Sequence, residues 1–167
     1  MKFLPFLLPF LLIMSIIKYR ELSLSEVVEE SNLIIEVEFV EKYNEEISVS
    51  GKEGSDSEVK ASSPFIKKGN VFNIIKVLKN AGLIKVPAQI RVPEENWRRS
   101  LSQYKEMHFN GVSKSYTVLD YATETKSVSK AAVLFLHHFQ DMYELTARNA
   151  FESKASLEKI TILISAE

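Results

Sequence analysis

LIIEVEFVEKY, residues Leu33 to Tyr43, is the stretch on which the fold turns. Leu33, Ile35, Val37 and Phe39 fall on one face at period two, and Glu36, Glu38 and Lys42 fall on the other, as in a strand with one buried and one solvent-facing side. It reads as the opening strand of a mostly antiparallel sheet. Just upstream, LSLSEVVEESN predicts a helix of about two turns: Ser23 suits the cap, Glu26 stands three residues on, and Leu24, Val27 and Val28 share the inward face.

Downstream, NVFNIIKVLK over Asn70 to Lys79 is apolar on both faces, which predicts a central strand or one curved into a barrel. Between these two strands, residues 44–63 are polar and carry two of the five glycines, and they predict a flexible loop or hairpin tip. Asn80-Ala-Gly82 marks a turn, and Leu83 to Val92 predicts an edge strand because it carries Pro87. The period then changes. Pro93, Glu94 and Glu95 suit a helix start, with Trp97, Leu101, Tyr104 and His108 at helical spacing, so a helix is expected over 93–108.

Lys114 to Tyr121 reads as a short strand, and AAVLFLHHF over Ala131 to Phe139 as a buried one. Met142 to Ala147 is its expected hairpin partner across Gln140-Asp141. Residues 156–165 stay open between a C-terminal helix, favoured by Ser156 and by the spacing of Leu157, Ile160 and Ile164, and a strand, favoured by ITILI.

The first 20 residues form a separate unit. Phe3 to Ile17 is an apolar run behind Lys2, interrupted by Pro5 and Pro9 and closed by Lys18 and Arg20. A membrane span needs roughly 20 apolar residues, so the run has the length of a signal-peptide core. Export to the periplasm or beyond is the expectation, with an uncleaved membrane anchor as the alternative, since Ile13-Met14-Ser15 is only a tolerable cleavage triplet. Residues 21–167, 46% hydrophobic in the whole chain's count and rich in Phe and Tyr, are enough for a single domain with a real core. The chain has no cysteine, which excludes disulfides, thiolate zinc sites and a cysteine nucleophile.

Taken together, SLSEVVEESN leading into LIIEVEFVEKY, then NVFNIIKVLKNAG and finally AAVLFLHHFQDMYEL resemble exported bacterial proteins with an OB-type barrel related to netrin and tissue-inhibitor-of-metalloproteinase modules. Leu78-Lys79-Asn80-Ala81-Gly82 and Leu134-Phe135-Leu136 carry the likeness most directly. The resemblance implies a mainly β fold, a small OB-like antiparallel barrel of about five strands, shared by binding modules of many kinds. The metalloproteinase inhibitors use an N-terminal cysteine that this chain lacks, so their mechanism is not expected here.

No catalytic motif accompanies that pattern. G-x-S-x-G, G-x-G-x-x-G and H-E-x-x-H are all missing, and no cofactor or metal is expected. His137 and His138 point to opposite faces of a strand and could not readily share an ion. Charge is distributed unevenly: residues 21–59 hold 12 acids and 2 bases, whereas residues 60–105 hold 10 bases and 2 acids. Pairing of Lys76 with Glu36 or Glu38 across the sheet would neutralise the two segments internally. The function expected is therefore an exported, non-catalytic binding module for a protein or polysaccharide, touching membrane only through its N-terminal segment. Lys76, Arg91, Trp97, Arg98, Arg99 and Tyr104 are its candidate binding residues. Two alternatives stand beside it: an exported hydrolase with a site around His108, His137 and Asp141, and oligosaccharide or nucleic-acid binding by the basic 60–105 surface, with nucleic acid the less expected ligand for an exported chain.

Overall fold

The computed structural model describes residues 17–52, 58–60, 63–94, 97–109, 116–122, 130–140 and 142–166. Strand β1 (Ile17–Leu22) leads into helix α1 (Leu24–Glu30), whose Ser23 and Glu26 form a reciprocal capping box. Ser23 N donates to Glu26 at 2.8 Å and Glu26 N donates to Ser23 Oγ at 3.3 Å. The Ser23 bonds, with Arg20 alongside, hold the Glu26 carboxyl below its ordinary range. The helix stops at Ser31, whose hydroxyl donates back to Val27 O at 2.6 Å. Asn32 then ties three strand ends together: its side chain bonds the backbone of His138 in both directions, at 2.7 and 3.0 Å, and its carbonyl accepts from Ala81 N at 2.9 Å.

Strand β2 (Leu33–Ile47) is the centre of the main sheet. It pairs antiparallel with β5 (Phe65–Asn80) on one side and with β8 (Ala131–Phe139) on the other. Beyond β5 lies β6 (Gln89–Pro93); beyond β8 lie β9 (Met142–Leu145) and β10 (Phe151–Ser153), one after the other along the same edge. The paired strands β2 and β5 are extended at their far end by a small ladder between β3 (Ser50–Lys52) and β4 (Glu58–Lys60). Helix α2 (Trp97–Phe109) connects β6 to β7 (Tyr116–Tyr121), and β7 runs parallel to β1. A bridge from Asp120 to Arg148 joins that two-stranded sheet to the main one. A 3-10 turn (Lys154–Ser156) and helix α3 (Leu157–Ser165) end the chain, so the last segment is a helix.

Two apolar cores sandwich β2 and β8. Leu33, Ile35, Val37, Leu134 and Leu136 face an inner core with Phe72, Ile90 and Val92. Ile34, Val133 and Phe135 face a second core closed by Val27 and Val28 of α1 and Ile160 of α3. The period-two pattern of β2 therefore has no wet face over its first five residues, because the helices cover the side on which Ile34 and Glu36 lie. Only from Val40 onward does the strand leave the core. AAVLFL is continuous for the same reason: strands buried on both faces need no polar alternation.

Several expectations are corrected. The sheet curls so that β6 approaches β9, but among the described residues no ladder joins them, and the barrel is not closed. Three register shifts between β2 and β5 supply curvature. Closure fails where the edge strands are five and four residues long and β6 ends on Pro93, which has no N–H to donate. Leu83 to Val92 is a strand only from Gln89. Residues 83–87 are irregular, with Leu83 at φ 48° and the Asn80 amide bonding Ile84 in both directions. Helix α2 is described from Trp97, and Pro93, expected to open it, belongs to β6 opposite Gly69.

Within residues 44–63, the described stretches continue the strand pairing. The β2–β5 ladder runs out to Ile47 and Phe65. The Tyr43 ring lies so close over Gly69 that a Cβ there would come within 2.5 Å of it, and burial raises the Tyr43 phenol. Within the expected loop, residues 53–57 and 61–62 lie outside the described residues. Strand β1 begins at Ile17, so four residues of the expected 1–20 targeting segment pair with β7.

Glu36 does stand opposite Lys76 in the β2–β5 register, but Glu36 is buried and its carboxylate meets Lys154 at 2.6 Å, while Lys76 is exposed. Lys154 comes from the turn before α3, so this ion pair fastens the C-terminal helix to the central strand. Removing its ammonium leaves a buried carboxylate unpaired, which costs about 1–3 kcal/mol. Lys154→Met is expected to lose that much in urea unfolding, and Lys76→Ala to stay within about 0.5 kcal/mol of the parent; equal losses would restore Lys76 as the partner.

Candidate functional site

Among the hollows of the described surface are these three. A shallow groove along the outer side of α3, beside Thr161 and Ile162, is mostly apolar and open. A second, near Leu24 and Lys159, contains the buried Glu152. Tyr121 donates to one oxygen of that carboxylate at 2.5 Å and Ser156 to the other at 3.1 Å, so the acid is engaged in fastening β7 and α3 to β10. The third, a cleft of about 350 Å³, is different in kind.

That cleft lies between α2 and the floor made by β7, β9 and the segment after β9. Helix α2 contributes Arg99, Ser100 and Gln103, which share one face at helical spacing. Thr117 to Leu119 of β7 and Glu144 to Arg148 form the floor, with Tyr19 of β1 and Glu94 at the walls. The sequence brings these together through the parallel β1–β7 pair, which period-two patterning cannot reveal. Arg148 fixes the join: its backbone N–H donates to Leu119 O and its carbonyl accepts from Tyr121 N, both at 2.9 Å.

Helix α2 is held from both sides. Arg98 reaches Glu144 of β9 at 3.3 Å and directs an N–H at Met142 Sδ at 3.4 Å. On the other side, Lys67 Nζ stands 4.6 Å over the Trp97 ring, and Lys67 also meets Glu45 at 3.5 Å. Further along, Tyr104 packs edge-on against Phe65, and its hydroxyl donates to Ser63 O. The helix thus reaches from the β5 side of the curled sheet to the β9 side, although none of its residues is fully buried.

Of the six candidate binding residues, the structure places only Arg99 in the cleft wall. Arg98 supports the wall from behind through Glu144. Trp97 and Tyr104 are used in seating α2 on β5, and Arg91 lies with its guanidinium 5.4 Å from the Tyr43 ring. Lys76 is exposed on β5, opposite Glu36. Sequence reasoning missed Tyr19, Gln103, Thr117, Glu144 and Arg148. The helical spacing of Arg99 and Gln103 was available in the sequence, but nothing marked which strand they would face.

Two residues of the hydrolase alternative, His108 and His137, have different neighbours. His108 stacks on Tyr104 at 4.0 Å with its Nδ1 2.9 Å from Tyr104 O. His137 stands opposite Glu144 in the β8–β9 ladder, and ten helical residues, about 15 Å of axis, separate His108 from the Arg98 that meets Glu144. Asp141 lies outside the described residues. Among the described residues, no three His, Asp or Glu side chains gather as metal ligands.

Electrostatically, the cleft floor is anchored by Asp120. The Arg148 guanidinium bonds both oxygens of the Asp120 carboxylate, and Asn149 adds a bond at 3.2 Å. Hydrogen bonding from Arg148, opposed by burial, holds the Asp120 carboxyl below the usual range. A depressed carboxyl stabilises the fold above its unfolded pKa and loses that contribution as pH falls through the folded value. The melting-temperature gap between the parent and Asp120→Asn is therefore expected to be open at about pH 7 and to shrink toward about pH 3; a gap that is constant over that range would contradict the pair.

Comparison with protein-family models, with curated proteins and with solved structures finds no match, so the chemistry of the cleft rests on its own side chains.

Proposed function

We propose that the protein is an exported, non-catalytic binding module whose ligand site is the cleft between α2 and β7, on a curled sheet that is an open relative of the OB-type barrel. The observation that carries this reading is the way the cleft's charged groups are held. Glu94 is paired with Lys42 at 3.3 Å, Glu144 with Arg98 at 3.3 Å, and Arg148 with Asp120, each partner standing outside the lining. Side chains fixed in this way present preorganised donors and acceptors to a ligand and lose little freedom when it binds. A concave, polar surface assembled from several elements is the common form of a recognition site.

Support for export comes from the chain start. Phe3 to Ile17 has the length of a signal-peptide core. Strand β1 uses Ile17 onward and buries Leu22, so processing compatible with this fold leaves Ile17 in the mature chain. Cell fractionation followed by intact-mass determination tests the proposal. The expected result is protein in the exported or membrane fraction with an N-terminus at or before Ile17. Full-length protein confined to the cytosol would overturn export, and a mature chain beginning after Leu22 would overturn the role given to β1.

A further inference from the structure

Resting on that binding reading, we infer that the ligand of the α2–β7 cleft is a neutral, polyhydroxylated one: a segment of an uncharged oligosaccharide. Charge is the first argument. The lining contains two arginines, Arg99 and Arg148, and two glutamates, Glu94 and Glu144, so it carries no net charge. An anionic ligand would meet both carboxylates, and a cationic one both guanidiniums.

The hydrogen-bonding inventory is the second argument. Arginine offers donors only, an ionised glutamate accepts only, and Gln103, Ser100 and Thr117 do both. A sugar hydroxyl both donates and accepts, and a ring with several of them can use such a mixed set fully. A phosphate or sulfate, which only accepts, would leave the glutamates facing oxygen. The planar ends of Arg, Glu and Gln also suit paired contacts to adjacent hydroxyls.

The third argument is the wall. Tyr19 is 63% exposed at the cleft margin, with the Arg148 guanidinium 5.8 Å from its ring centroid. A large exposed aromatic beside a polar cleft supplies the apolar platform that the C–H face of a sugar ring requires, while its hydroxyl stays wet. The volume of about 350 Å³ is at the small end of ligand sites, so only a short part of a longer chain would be enclosed. The basic residues nearby do not turn the surface into a polyanion site: Lys67 and Arg98 already have the carboxylates of Glu45 and Glu144.

The test is calorimetric titration of the mature protein with maltohexaose, cellohexaose and chitohexaose, beside a heparin hexasaccharide and a capped neutral peptide. At least one of the three uncharged sugars is expected to bind, with an affinity that changes less than about twofold between about 50 and 200 mM salt, because no counterions are released. Gln103→Ala and Tyr19→Ala, each checked for native circular dichroism, are expected to weaken it about fivefold, the size of one lost neutral hydrogen bond or ring contact. Lys105→Ala, exposed on α2 away from the lining, is expected to leave it unchanged. Failure of all three sugars at millimolar concentration, or sugar binding that ignores Gln103→Ala and Tyr19→Ala, would overturn the inference. Binding of heparin or the peptide in place of the sugars, and its loss in Gln103→Ala, would overturn the assignment of an uncharged saccharide while keeping the cleft as a binding site. Cleavage of a bound sugar would overturn the non-catalytic reading and keep the saccharide.

Discussion

Between β8 and β5, the residues Leu33 to Val37 have no solvent to face. Hydrogen-bonded ladders occupy both edges, the inner core takes Leu33, Ile35 and Val37, the helices α1 and α3 cover Ile34, and Lys154 meets the buried Glu36. Burying an aliphatic side chain of this size contributes about 1.5–3 kcal/mol, and four such side chains are buried in this stretch. A single charge sits in it, and the fold answers that charge with Lys154 from the far end of the chain. Every other element is placed by reference to this stretch. Asn32 aligns the ends of β5 and β8 beside it, and the capping box of α1 fixes the direction from which the chain enters.

Curvature carries that constraint outward to the cleft. The register shifts along β2 and β5 bend the sheet until β6 comes near β9, and α2 is held across the approach by Arg98 on one side and by Trp97 and Tyr104 on the other. With α2 seated, Arg99 and Gln103 face the β7 side, where Arg148 and Asp120 have joined the parallel pair to the main sheet. The site is therefore a product of long-range packing. Its groups come from widely separated parts of the sequence and meet only because the sheet curls without closing.

Local chemistry in the sequence announced the local structure. The Ser23–Glu26 spacing gave a capped helix, AAVLFLHHF a buried strand, and MYEL its antiparallel partner, with Gln140 at φ 56°. The β2–β5 pairing was legible from two apolar periodic runs. Three features were not. The burial of Glu36 could not be read because its partner, Lys154, comes from a turn more than a hundred residues away. The place of Pro93 in β6 and not in α2 was hidden because proline suits a strand end as well as a helix start. The parallel β1–β7 pair was hidden by the apolar run that precedes it, which reads as targeting sequence. Trp97 and Tyr104 attracted attention as aromatic binding residues, and they prove to be the means by which α2 is seated.

Native-state amide hydrogen exchange tests the central claim, that Leu33 to Val37 is the segment on which the structure depends. Amides of this stretch, and of Ala132 to Leu136 beside it in β8, are expected to exchange only through global unfolding, with free energies equal to the unfolding free energy measured in urea. Those of β6 and α2 are expected to open at lower cost. Exchange of Leu33 to Val37 through a cheaper, local opening while β6 or α2 remained protected to the global limit would contradict the account.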